Sequence, residues 1–539
     1  MDAIHGVTQG TLIERLGADH GDRPALVYPQ RGLRWTYADL DARSLALARG
    51  LIAVGIEPGD HVCVWADNRP DWIPFQFAIA RIGAVLVTAN TALTAPEIEY
   101  LLGQSKTRMV VCAPGREAEE YLDVLAALIA GGACPRLARV TVMEGTPRDG
   151  MISVDELVAA GESVPASVVY ERCANTPVSA PANIQYTSGT TGFPKGVVLS
   201  HENLVENAYV GAMTAELVDR DVMMLMVPLF HCFGCSVVVL GATTHLTPIV
   251  ALQRFDPGGV LEAVESEAVT LIHGVPAMFR ALLAQPDVRT RDLSSLRSGI
   301  VAGSMCPEPL MRRIHDDLGV EGICAAYGLT EASPGVTISN SAAPLEQRIG
   351  SVGIPYSGVR LRIVDPVSDV ERPVGETGEV LVNGPGVMLG YFDDPEATSA
   401  VITAEGWLRT GDLGFIDEEG ALHIAGRIKE LVIRGGENVF PGEVEDALRT
   451  HADVADAAVF GVAHERLGEE VAAAVVLCPG ASVDAPALTE WLATCLASYK
   501  RPRQWLFVDG FPLTASGKVQ KFKLRQMAEA QGPRPSGEG

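Results

Sequence analysis

The sequence is poor in basic residues and has no long apolar run, and both shortages limit what the protein can bind. Its 539 residues include 42 Lys and Arg against 67 Asp and Glu, a formal net charge of −25. Nucleic-acid binding depends on clustered Lys and Arg, so we expect no nucleic-acid partner. The longest apolar stretch, near Val237, is interrupted by Thr243, Thr244 and His245, so we expect no membrane span.

Cysteine is also sparse, with ten residues scattered along the chain. Disulfide frameworks belong to small secreted domains, so these cysteines are expected to be reduced thiols. Residues 1–5 show neither a basic segment nor an apolar segment of a secretory signal, and we expect a cytoplasmic protein. Cys232 and Cys235 flank a CxxC spacing beside His231. Without a second Cys/His pair this spacing is a weak sign of a zinc or redox site, and we interpret both cysteines as pocket-wall residues.

The chain is long enough for more than one domain, and its first part alternates two kinds of apolar pattern. Short apolar runs predict strands at residues 25–28, 62–65, 84–87 and 109–112, and helical spacing predicts helices at 10–16, 40–54, 72–82 and 95–102. This alternation predicts an α/β protein with parallel sheets covered by helices. Residues 114–180 are rich in Pro, Gly and Ala, and we expect a surface connection with a helix at 117–129.

The most informative stretch is residues 186–196, with the sequence YTSGTTGFPKG. Its backbone N–H groups and hydroxyls can surround a phosphate chain while the Lys195 ammonium neutralises it. It is not a Walker loop, because Lys195 follows Pro194 and precedes Gly196. Taken alone, a flexible Gly/Ser/Thr turn would be the simpler interpretation.

Further motifs follow it in order and change that interpretation. They are residues 228–234 (PLFHCFG), 299–304 (GIVAGS), 327–332 (YGLTEA), 407–412 (WLRTGD), 426–430 (GRIKE) and 512–518 (PLTASGK). Each has a simpler reading in isolation: a core histidine at His231, a β-turn at 299–304, a turn-forming acid at Asp412. As a series over about residues 10–530 they resemble the adenylate-forming (ANL) superfamily of acyl-CoA synthetases, luciferases and peptide-synthetase adenylation domains. Residues 301–304, 434–438 and 512–521 are similar to medium-chain fatty acyl-CoA synthetases.

This resemblance implies a particular domain organisation. Residues 1–428 would form a large N-terminal domain of two helix-covered β-sheets plus a small β-barrel-like subdomain. Residues 350–355, 375–379 and 390–392 fit that subdomain. Residues 429–539 would form a small mobile α+β domain, whose tail from Gln531 to Gly539 we expect to be disordered.

The resemblance also implies sites for ATP and Mg²⁺. A tyrosine can stack on a base, a hydroxyl can bind the α-phosphate, and a carboxylate can hold Mg²⁺. The metal ligands would be Glu331 and Thr187. The ATP and AMP ligands would be Thr187, Ser188, Gly189, Thr190, Thr191, Gly192, Lys195, Gly303, Ser304, Tyr327, Gly328, Thr330, Glu331, Asp412, Arg427 and Lys518.

The remaining implied roles concern the acid, CoA and the change between two half-reactions. His231, Phe233, Ala302 and Gly303 would line the acid site, and Gly435, Gly436 and Glu437 the CoA channel. Lys518 would be the catalytic lysine. It would act together with Glu331 and Thr187 in the adenylation step. Lys429 stands at the position of the hinge about which the small domain rotates.

These residues predict ATP-dependent conversion of a carboxylic acid to acyl-AMP and pyrophosphate, followed by transfer to CoA. An acyl-AMP ligase that loads a carrier protein is the alternative, and an aryl-CoA ligase is a further one. A fold-retaining binding protein, a phosphotransferase that releases ADP and a luciferase are weaker readings. An amino-acid substrate is disfavoured, because Gly234 follows Phe233 where adenylation domains carry an aspartate for the α-ammonium. The sequence leaves the acid undetermined and allows a homodimer.

Overall fold

A computed structural model describes residues 5–116, 118–187, 194–513 and 519–531. The chain divides into two compact units. The first comprises Met1–Cys306, Leu310–Arg360 and Val382–Leu408, and the second comprises Pro307–Pro309, Leu361–Leu381 and Arg409–Gly539. The boundary predicted between residues 428 and 429 stays a prediction.

A nine-stranded sheet forms one half of the first unit. Four successive neighbouring strand pairs are parallel from Ile249–Ala251 to Gly322–Gly328, which agrees with strands joined through helices. In sheet order its strands are Ile354–Pro355, Gly335–Ile338, Gly322–Gly328, Ser298–Val301, Leu271–Gly274, Met223–Leu225, Ile249–Ala251, Pro24–Tyr28 and Leu33–Thr36. Helices cover it with a core that includes Phe279, Leu261 and Ile314.

An eight-stranded sheet forms the other half. Its central strands His61–Trp65 and Met109–Cys112 are almost entirely buried and are continuous apolar runs, as expected of parallel strands covered on both faces. In sheet order its strands are Gly390–Tyr391, Lys195–Ser200, Pro181–Thr187, Val85–Thr88, His61–Trp65, Met109–Cys112, Arg139–Val142 and Ile152–Ser153.

Helix starts in this part of the chain follow local sequence signals. Thr36, Thr94, Ser153 and Ser200 each form a capping box with the residue three positions later, which satisfies N–H groups at the helix start. The α-helices up to residue 408 are Gln9–Asp19, Tyr37–Ala53, Trp72–Arg81, Ala95–Gln104, Glu120–Gly131, Val154–Gly161, Ala166–Asn175, His201–Thr214, Val239–Thr244, Pro257–Glu267, Pro276–Leu283, Glu308–Asp317, Leu345–Arg348 and Pro395–Val401. A π-helical segment spans Phe233–Val238, and short 3₁₀ turns span Pro29–Arg31 and Thr330–Ala332.

Two further sheets complete the fold. A four-stranded sheet has the order Arg360–Val364, Gly378–Asn383, Leu408–Ile416 and Leu422–Arg427. A five-stranded sheet has the order Glu437–Val439, Val432–Arg434, Gly468–Leu477 and Val454–His464, with Gln504–Phe507 pairing parallel to Gly468–Leu477. The helical segments of this part are Pro441–Arg449, Ala485–Ala493, Lys521–Gln531 and the 3₁₀ turns Ile428–Glu430 and Ser498–Lys500.

The α/β class is confirmed, with two helix-covered sheets and a smaller α+β unit toward the C-terminus. The strand predicted at 109–112 has those bounds. In residues 114–180 the predicted helix is present as Glu120–Gly131, but the surface connection was wrong. Strands Arg139–Val142 and Ile152–Ser153 extend the eight-stranded sheet, and helices Val154–Gly161 and Ala166–Asn175 follow. In the described part of the chain, no helix is both long and apolar enough to cross a membrane.

The segments assigned to the small β-subdomain separate in the structure. Gly378–Asn383 lies in the four-stranded sheet, whereas Ile354–Pro355 is an edge strand of the nine-stranded sheet. Gly390–Tyr391 is an edge strand of the eight-stranded sheet and pairs antiparallel with Val197 and Val198. Sequence alone could not show this pairing, because a two-residue strand has too little pattern to identify its partner.

Candidate active site

Two paired strands hold the ends of the glycine-rich loop. Pro181–Thr187 runs antiparallel to Lys195–Ser200, and Thr187 lies opposite Lys195 in the register. The Tyr100 hydroxyl donates to the Pro194 carbonyl at 3.2 Å. The loop's start and its lysine are therefore fixed by a sheet. The predicted ligands Ser188, Gly189, Thr190, Thr191 and Gly192 lie outside the described residues.

Glu331 sits in the turn between two antiparallel strands of the nine-stranded sheet. The turn is the 3₁₀ segment Thr330–Ala332, which follows the strand that ends with Tyr327 and Gly328. A Cβ on Gly328 would collide with the Pro334 carbonyl oxygen, so the turn needs glycine there. The end of this strand and the turn that follows, residues 327–332, therefore form one corner of the sheet. This corner carries Tyr327, Gly328, Thr330 and Glu331.

Tyr391 joins this corner to the loop. Its hydroxyl donates to Glu331 Oε1 at 3.0 Å. The Lys195 ammonium lies 5.0 Å from the centre of its ring, within the range of a cation–π contact. The backbone N–H of Met388 donates to the Glu331 carbonyl at 2.9 Å. Lys195 and Glu331, predicted from separate motifs, therefore contact the same side chain.

Helix His201–Thr214 holds the backbone on both sides of this corner. Asn207 Nδ2 donates to the Gly335 carbonyl at 2.7 Å, and Asn207 Oδ1 accepts from the Gly335 N–H at 3.0 Å. One turn earlier, Asn203 Nδ2 donates to the Pro385 carbonyl at 2.6 Å. Both asparagines are buried, and neither was identified from the sequence. No local sequence pattern identifies the distant carbonyls that they bind.

The small residues Ala302, Gly303 and Ser304, expected at the ATP and acid sites, follow the carboxyl end of a parallel strand. Ser298–Val301 runs between Leu271–Gly274 and Gly322–Gly328, and all three end at the same edge. Ala302 follows this strand, and Gly303 has φ +86°, in the left-handed region that favours glycine. Ser304 is exposed. Carboxyl ends of parallel strands are where α/β folds commonly bind ligands, which agrees with the predicted role.

The segment predicted to contact the acid begins a π-helical turn. His231 Nδ1 accepts the N–H of Phe233 at 3.2 Å, which fixes the orientation of the imidazole. Phe233 starts the π-helix, a conformation often found at functional sites. The Cys232 thiol lies 3.6 Å from the Thr330 hydroxyl, so this segment contacts the turn that carries Glu331.

His273 is a further residue of this region that the sequence did not single out as a ligand. Its ring stacks on Phe233 with 6.4 Å between centres, and it is 2% exposed. Burial lowers its pKa to about 4, so the ring is neutral at pH 7. Its Nδ1 is buried without a hydrogen-bond partner among the described residues. A lone histidine at a strand end gives no sequence signal for this placement.

Asp412 and Arg427 form a pair in the second unit. They are opposite each other on neighbouring strands, and Arg427 Nε lies 2.9 Å from Asp412 Oδ1. The expectation that Asp412 lies in a turn was wrong, because it is in the middle of Leu408–Ile416. The Gly-Asp pair that suggested a turn is a glycine kink within the strand, because Gly411 has φ +70°.

The hinge and CoA candidates occupy tight turns of the second unit. Lys429 is exposed in the 3₁₀ turn Ile428–Glu430. Gly435 and Gly436 connect two paired strands, with φ +62° and +92° and Arg434 opposite Glu437. Two consecutive positive φ values are typical of a two-residue hairpin turn. No described atom lies within 4 Å of a Cβ built on Gly436, so backbone conformation is what selects glycine within this chain.

Lys518 lies outside the described residues, but both flanks of its loop are held. Leu513 and Val519 form an antiparallel bridge, and the Gln520 N–H donates to the Pro512 carbonyl at 2.8 Å. Lys521 then binds Glu445 at 2.7 Å. Of the predicted tail, Gln531 ends the last helix, and residues 532–539 lie outside the described part.

Comparison with known families assigns most of the chain. An AMP-binding enzyme family matches residues 13–392. The chain belongs to the AMP-binding enzyme family. The C-terminal domain of AMP-binding enzymes matches residues 443–518.

Relatives of this family match over nearly their full lengths. The YngI protein of Bacillus subtilis (strain 168) is 40% identical, over 97% of each chain. The mitochondrial medium-chain acyl-CoA ligase ACSF2 of Danio rerio is 37% identical, over 95% of this chain and 86% of the relative. The crystal structure of ATP-bound MatB from Rhodopseudomonas palustris superposes with a TM-score of 0.84 at 31% identity, over 97% of this chain and 99% of MatB. The predicted resemblance to acyl-CoA synthetases is confirmed.

The candidate site has oxygen donors that suit Mg²⁺. No group of three or more His, Cys, Asp or Glu arranged for a metal ion occurs in the described ranges. Magnesium at nucleotide sites takes one or two protein oxygens and completes its shell with phosphates and water. The Glu331 carboxylate, held by Tyr391, and the Thr187 hydroxyl fit that requirement.

The two cysteines of the CxxC spacing are buried. Gln185 Nε2 donates to Cys235 Sγ at 3.1 Å, and burial raises the pKa of the Cys235 thiol. A neutral, buried thiol is a poor metal ligand or redox centre. This agrees with the interpretation of both residues as part of a packed wall of this AMP-binding enzyme.

Proposed function

We propose that this AMP-binding enzyme converts a medium-chain or related carboxylic acid into its acyl-CoA thioester. In the first half-reaction the acid carboxylate attacks the α-phosphorus of ATP, forming acyl-AMP and releasing pyrophosphate. In the second, the CoA thiol attacks the acyl carbonyl and AMP leaves. The single observation that carries the proposal is the contact of Lys195 and Glu331 with one tyrosine at the edge of the glycine-rich loop.

The first half-reaction brings two anions together, so its barrier is mainly electrostatic. Thr187 and Lys195, at the two ends of the loop, would bind the phosphates. Glu331 and Thr187 would hold Mg²⁺, which when bound would neutralise phosphate charge and help pyrophosphate to leave. Lys518 would bridge the acid carboxylate and the α-phosphate. Asp412, kept in place by Arg427, would accept the ribose hydroxyls.

The second half-reaction needs no dedicated base. A thiol with an ordinary pKa is already partly thiolate at neutral pH and is strongly nucleophilic. The hairpin turn at Gly435 and Gly436, next to Glu437, would face the pantetheine arm of CoA. Lys429 would serve as the hinge that removes Lys518 and brings this hairpin to the acyl-AMP.

The acid site would be lined by neutral and aromatic groups. Phe233, the His231 ring and the small residues Ala302 and Gly303 are the candidate contacts. The buried His273 behind Phe233 is uncharged at neutral pH, because burial holds its pKa near 4. An uncharged wall suits an apolar acyl chain better than an α-ammonium group, which would need a carboxylate partner.

A panel of carboxylic acids tests this proposal. Acids of increasing length, an aryl acid and amino acids are each offered with ATP, Mg²⁺ and either CoA or an acyl-carrier protein. We expect AMP and pyrophosphate, acyl-CoA as the thioester, and the highest rate with acids of intermediate length. Preference for the carrier protein would assign the alternative acceptor, preference for an aryl or amino acid would overturn the proposed acid, and release of ADP would overturn the reaction.

The proposal also includes a cytoplasmic location and the option of a homodimer. All ten cysteines are free thiols, which agrees with a reducing compartment. Light scattering of the purified protein at two concentrations decides between monomer and dimer.

A further inference from the structure

The edge strand Gly390–Tyr391 has no assigned part in the reaction, yet it is held firmly beside the loop. Tyr391 pairs with Val197, two residues beyond Lys195, and the Phe392 N–H donates to the Gly196 carbonyl at 2.7 Å. On its other side the Tyr391 N–H donates to the Thr398 hydroxyl at 2.8 Å. The backbone around Tyr391 is therefore held by hydrogen bonds on both sides of the strand.

The side chain of Tyr391 contacts two groups of opposite charge. Its hydroxyl donates to Glu331 Oε1 at 3.0 Å, and its ring lies under the Lys195 ammonium at 5.0 Å. A phenol hydroxyl can donate to a carboxylate oxygen, and an aromatic face attracts an ammonium group, so both contacts suit the charges they meet.

We infer that Tyr391 is a positioning residue, which holds the Glu331 carboxylate and the Lys195 ammonium in place for the Mg²⁺ and phosphates of ATP. This inference rests on the proposed function. The hydrogen bond uses Oε1 and sets the plane of the carboxylate, and Oε2 is the oxygen that this bond leaves for a cation. A carboxylate fixed before the ligand arrives loses less conformational freedom on binding it.

The ring adds a second effect, which the hydroxyl does not supply. A cation over an aromatic face is attracted by the ring quadrupole, and this attraction limits the directions in which the Lys195 side chain can point. Removing the hydroxyl alone should therefore affect Glu331 and the metal. Removing the ring as well should also affect how Lys195 binds phosphates in the absence of metal.

Three variants and one control separate these effects. Tyr391→Phe removes the hydroxyl, Tyr391→Leu also removes the ring, and Glu331→Gln removes the carboxylate charge. The control is Tyr121→Phe, which removes another half-buried hydroxyl of the same unit, one that donates to the Thr91 carbonyl at 2.6 Å. ATP affinity is measured by calorimetry with Mg²⁺ and with EDTA, and the ratio of the two dissociation constants reports the contribution of the metal.

We expect the parent and Tyr121→Phe to bind ATP more tightly with Mg²⁺. Tyr391→Phe should reduce this tightening about tenfold, the usual size for a hydrogen bond to a charged group, with unchanged affinity in EDTA. Glu331→Gln should reduce it at least as much, and the Tyr391→Phe, Glu331→Gln double variant should match Glu331→Gln alone. Tyr391→Leu should in addition weaken ATP binding in EDTA about two- to threefold.

The two half-reactions give an independent readout. Tyr391→Phe should slow acid-dependent exchange of pyrophosphate into ATP, and should leave thioester formation from supplied acyl-AMP at the parent rate. An equal loss in both half-reactions, or a loss that adds fully to that of Glu331→Gln, would show that Tyr391 acts only through general stability.

Failure of this inference is distinguishable from failure of the proposed function. A parent protein that binds ATP no better with Mg²⁺ and shows no exchange with any acid contradicts the proposed function. A parent with the Mg²⁺ effect, together with a Tyr391→Phe variant that keeps it in full, contradicts only the role of Tyr391. If Tyr391→Phe unfolds at a lower temperature than Tyr121→Phe, the Mg²⁺-to-EDTA ratio still decides, because it compares one folded sample with itself.

Discussion

The two units of this enzyme hold their candidate groups in different ways. In the first unit, Lys195 begins a strand and Glu331 lies in the turn between two strands, and both contact the half-buried Tyr391. In the second, Lys429 is exposed in a short turn, and Gly436 occupies a hairpin turn with open space around its missing side chain. At these positions the first unit fixes charged side chains, whereas the second unit fixes backbone conformation.

This difference predicts how each unit responds to mutation. Changes in the first unit should act through charge and hydrogen bonding, and should mainly affect the adenylation step. Changes to the turns of the second unit should act through backbone conformation, and should mainly affect the thioester step. Under the proposed function Lys518 and Asp412 are exceptions, since each would be a charge carried by the second unit but used in the first half-reaction.

The largest expected effect tests the exception of Lys518. Lys518→Ala should slow acid-dependent pyrophosphate exchange by about 10²–10³, as for the loss of one electrostatic donor in an active site. Thioester formation from supplied acyl-AMP should persist, because no new negative charge meets the α-phosphate in that step. The matched control is Lys523→Ala, which removes an exposed lysine from the following helix. Equal exchange rates in Lys518→Ala and the parent would refute the assignment.

Acid should weaken the first unit through two buried histidines. Burial lowers the pKa of His201 and His273 from 6.5 to about 4. Well above pH 6.5 both histidines are neutral in the folded and in the unfolded chain, so they do not reduce the free energy of unfolding. As the pH falls toward 4, the unfolded chain binds protons that the folded chain does not bind, and the free energy of unfolding decreases. Linkage gives about 2 kcal/mol for each histidine between pH 7 and pH 5.

Urea unfolding at pH 7 and pH 5 measures this loss. His273→Gln should be less stable than the parent at pH 7 but should lose about 2 kcal/mol less on going to pH 5. His20→Gln, a change at an exposed position, should keep the parent's pH dependence. A His273→Gln variant with the parent's full acid sensitivity would contradict the assigned protonation state.

Proline at the proposed hinge should slow the thioester step and leave the adenylation step unchanged. Lys429→Pro fixes φ at the proposed hinge, where rotation of the small domain would need φ to change. Thioester formation should therefore slow on the order of tenfold, a barrier change of about 1.4 kcal/mol. Adenylation, measured by pyrophosphate exchange, should stay near the parent rate. Lys429→Ala removes the same charge without restricting φ and should behave like the parent. Parallel losses in both steps would exclude a hinge at this residue.

The smallest expected effect concerns the hairpin turn. Gly436→Ala places a side chain at φ +92° and should cost about 1 kcal/mol of stability, measured by thermal unfolding. Gly480→Ala is a close control, because Gly480 has φ +83° and is also free of neighbours within 4 Å of a Cβ. Both variants should lose similar stability, but only Gly436→Ala should slow transfer to CoA. Equal rates of transfer to CoA in Gly436→Ala and Gly480→Ala would show that Gly436 does not line the CoA channel.

Local patterns in the sequence were reliable where neighbours along the chain decide the conformation. The buried strand at 109–112 was predicted because an apolar run acts over a few positions. Asp412 was placed in a turn because Gly-Asp is a frequent turn pair, yet pairing with the strand of Arg427 determined its conformation. Residues 114–180 looked irregular because their strands are short and owe their stability to the sheet they join.

The candidate site shows the same limit at the level of single residues. Thr187, Lys195, Glu331 and Asp412 were identified because each lies in a motif with a chemical reason for its residue types. Tyr391, Asn207 and His273 were not assigned a role, because their partners Glu331, Gly335 and Phe233 are distant in the sequence. Their roles depend on contacts that no local pattern encodes.

By itself, the order of motifs along the chain determined the family, the α/β class and the chemical groups available for acid activation, because these depend on residue types and short-range spacing. Only the tertiary structure decided that Tyr391 stands between Lys195 and Glu331, that His273 is neutral behind Phe233, and that Asp412 is in a strand. The physical reason is that hydrogen bonds, burial and pKa depend on distances between residues far apart in sequence, and only strand pairing and packing set those distances.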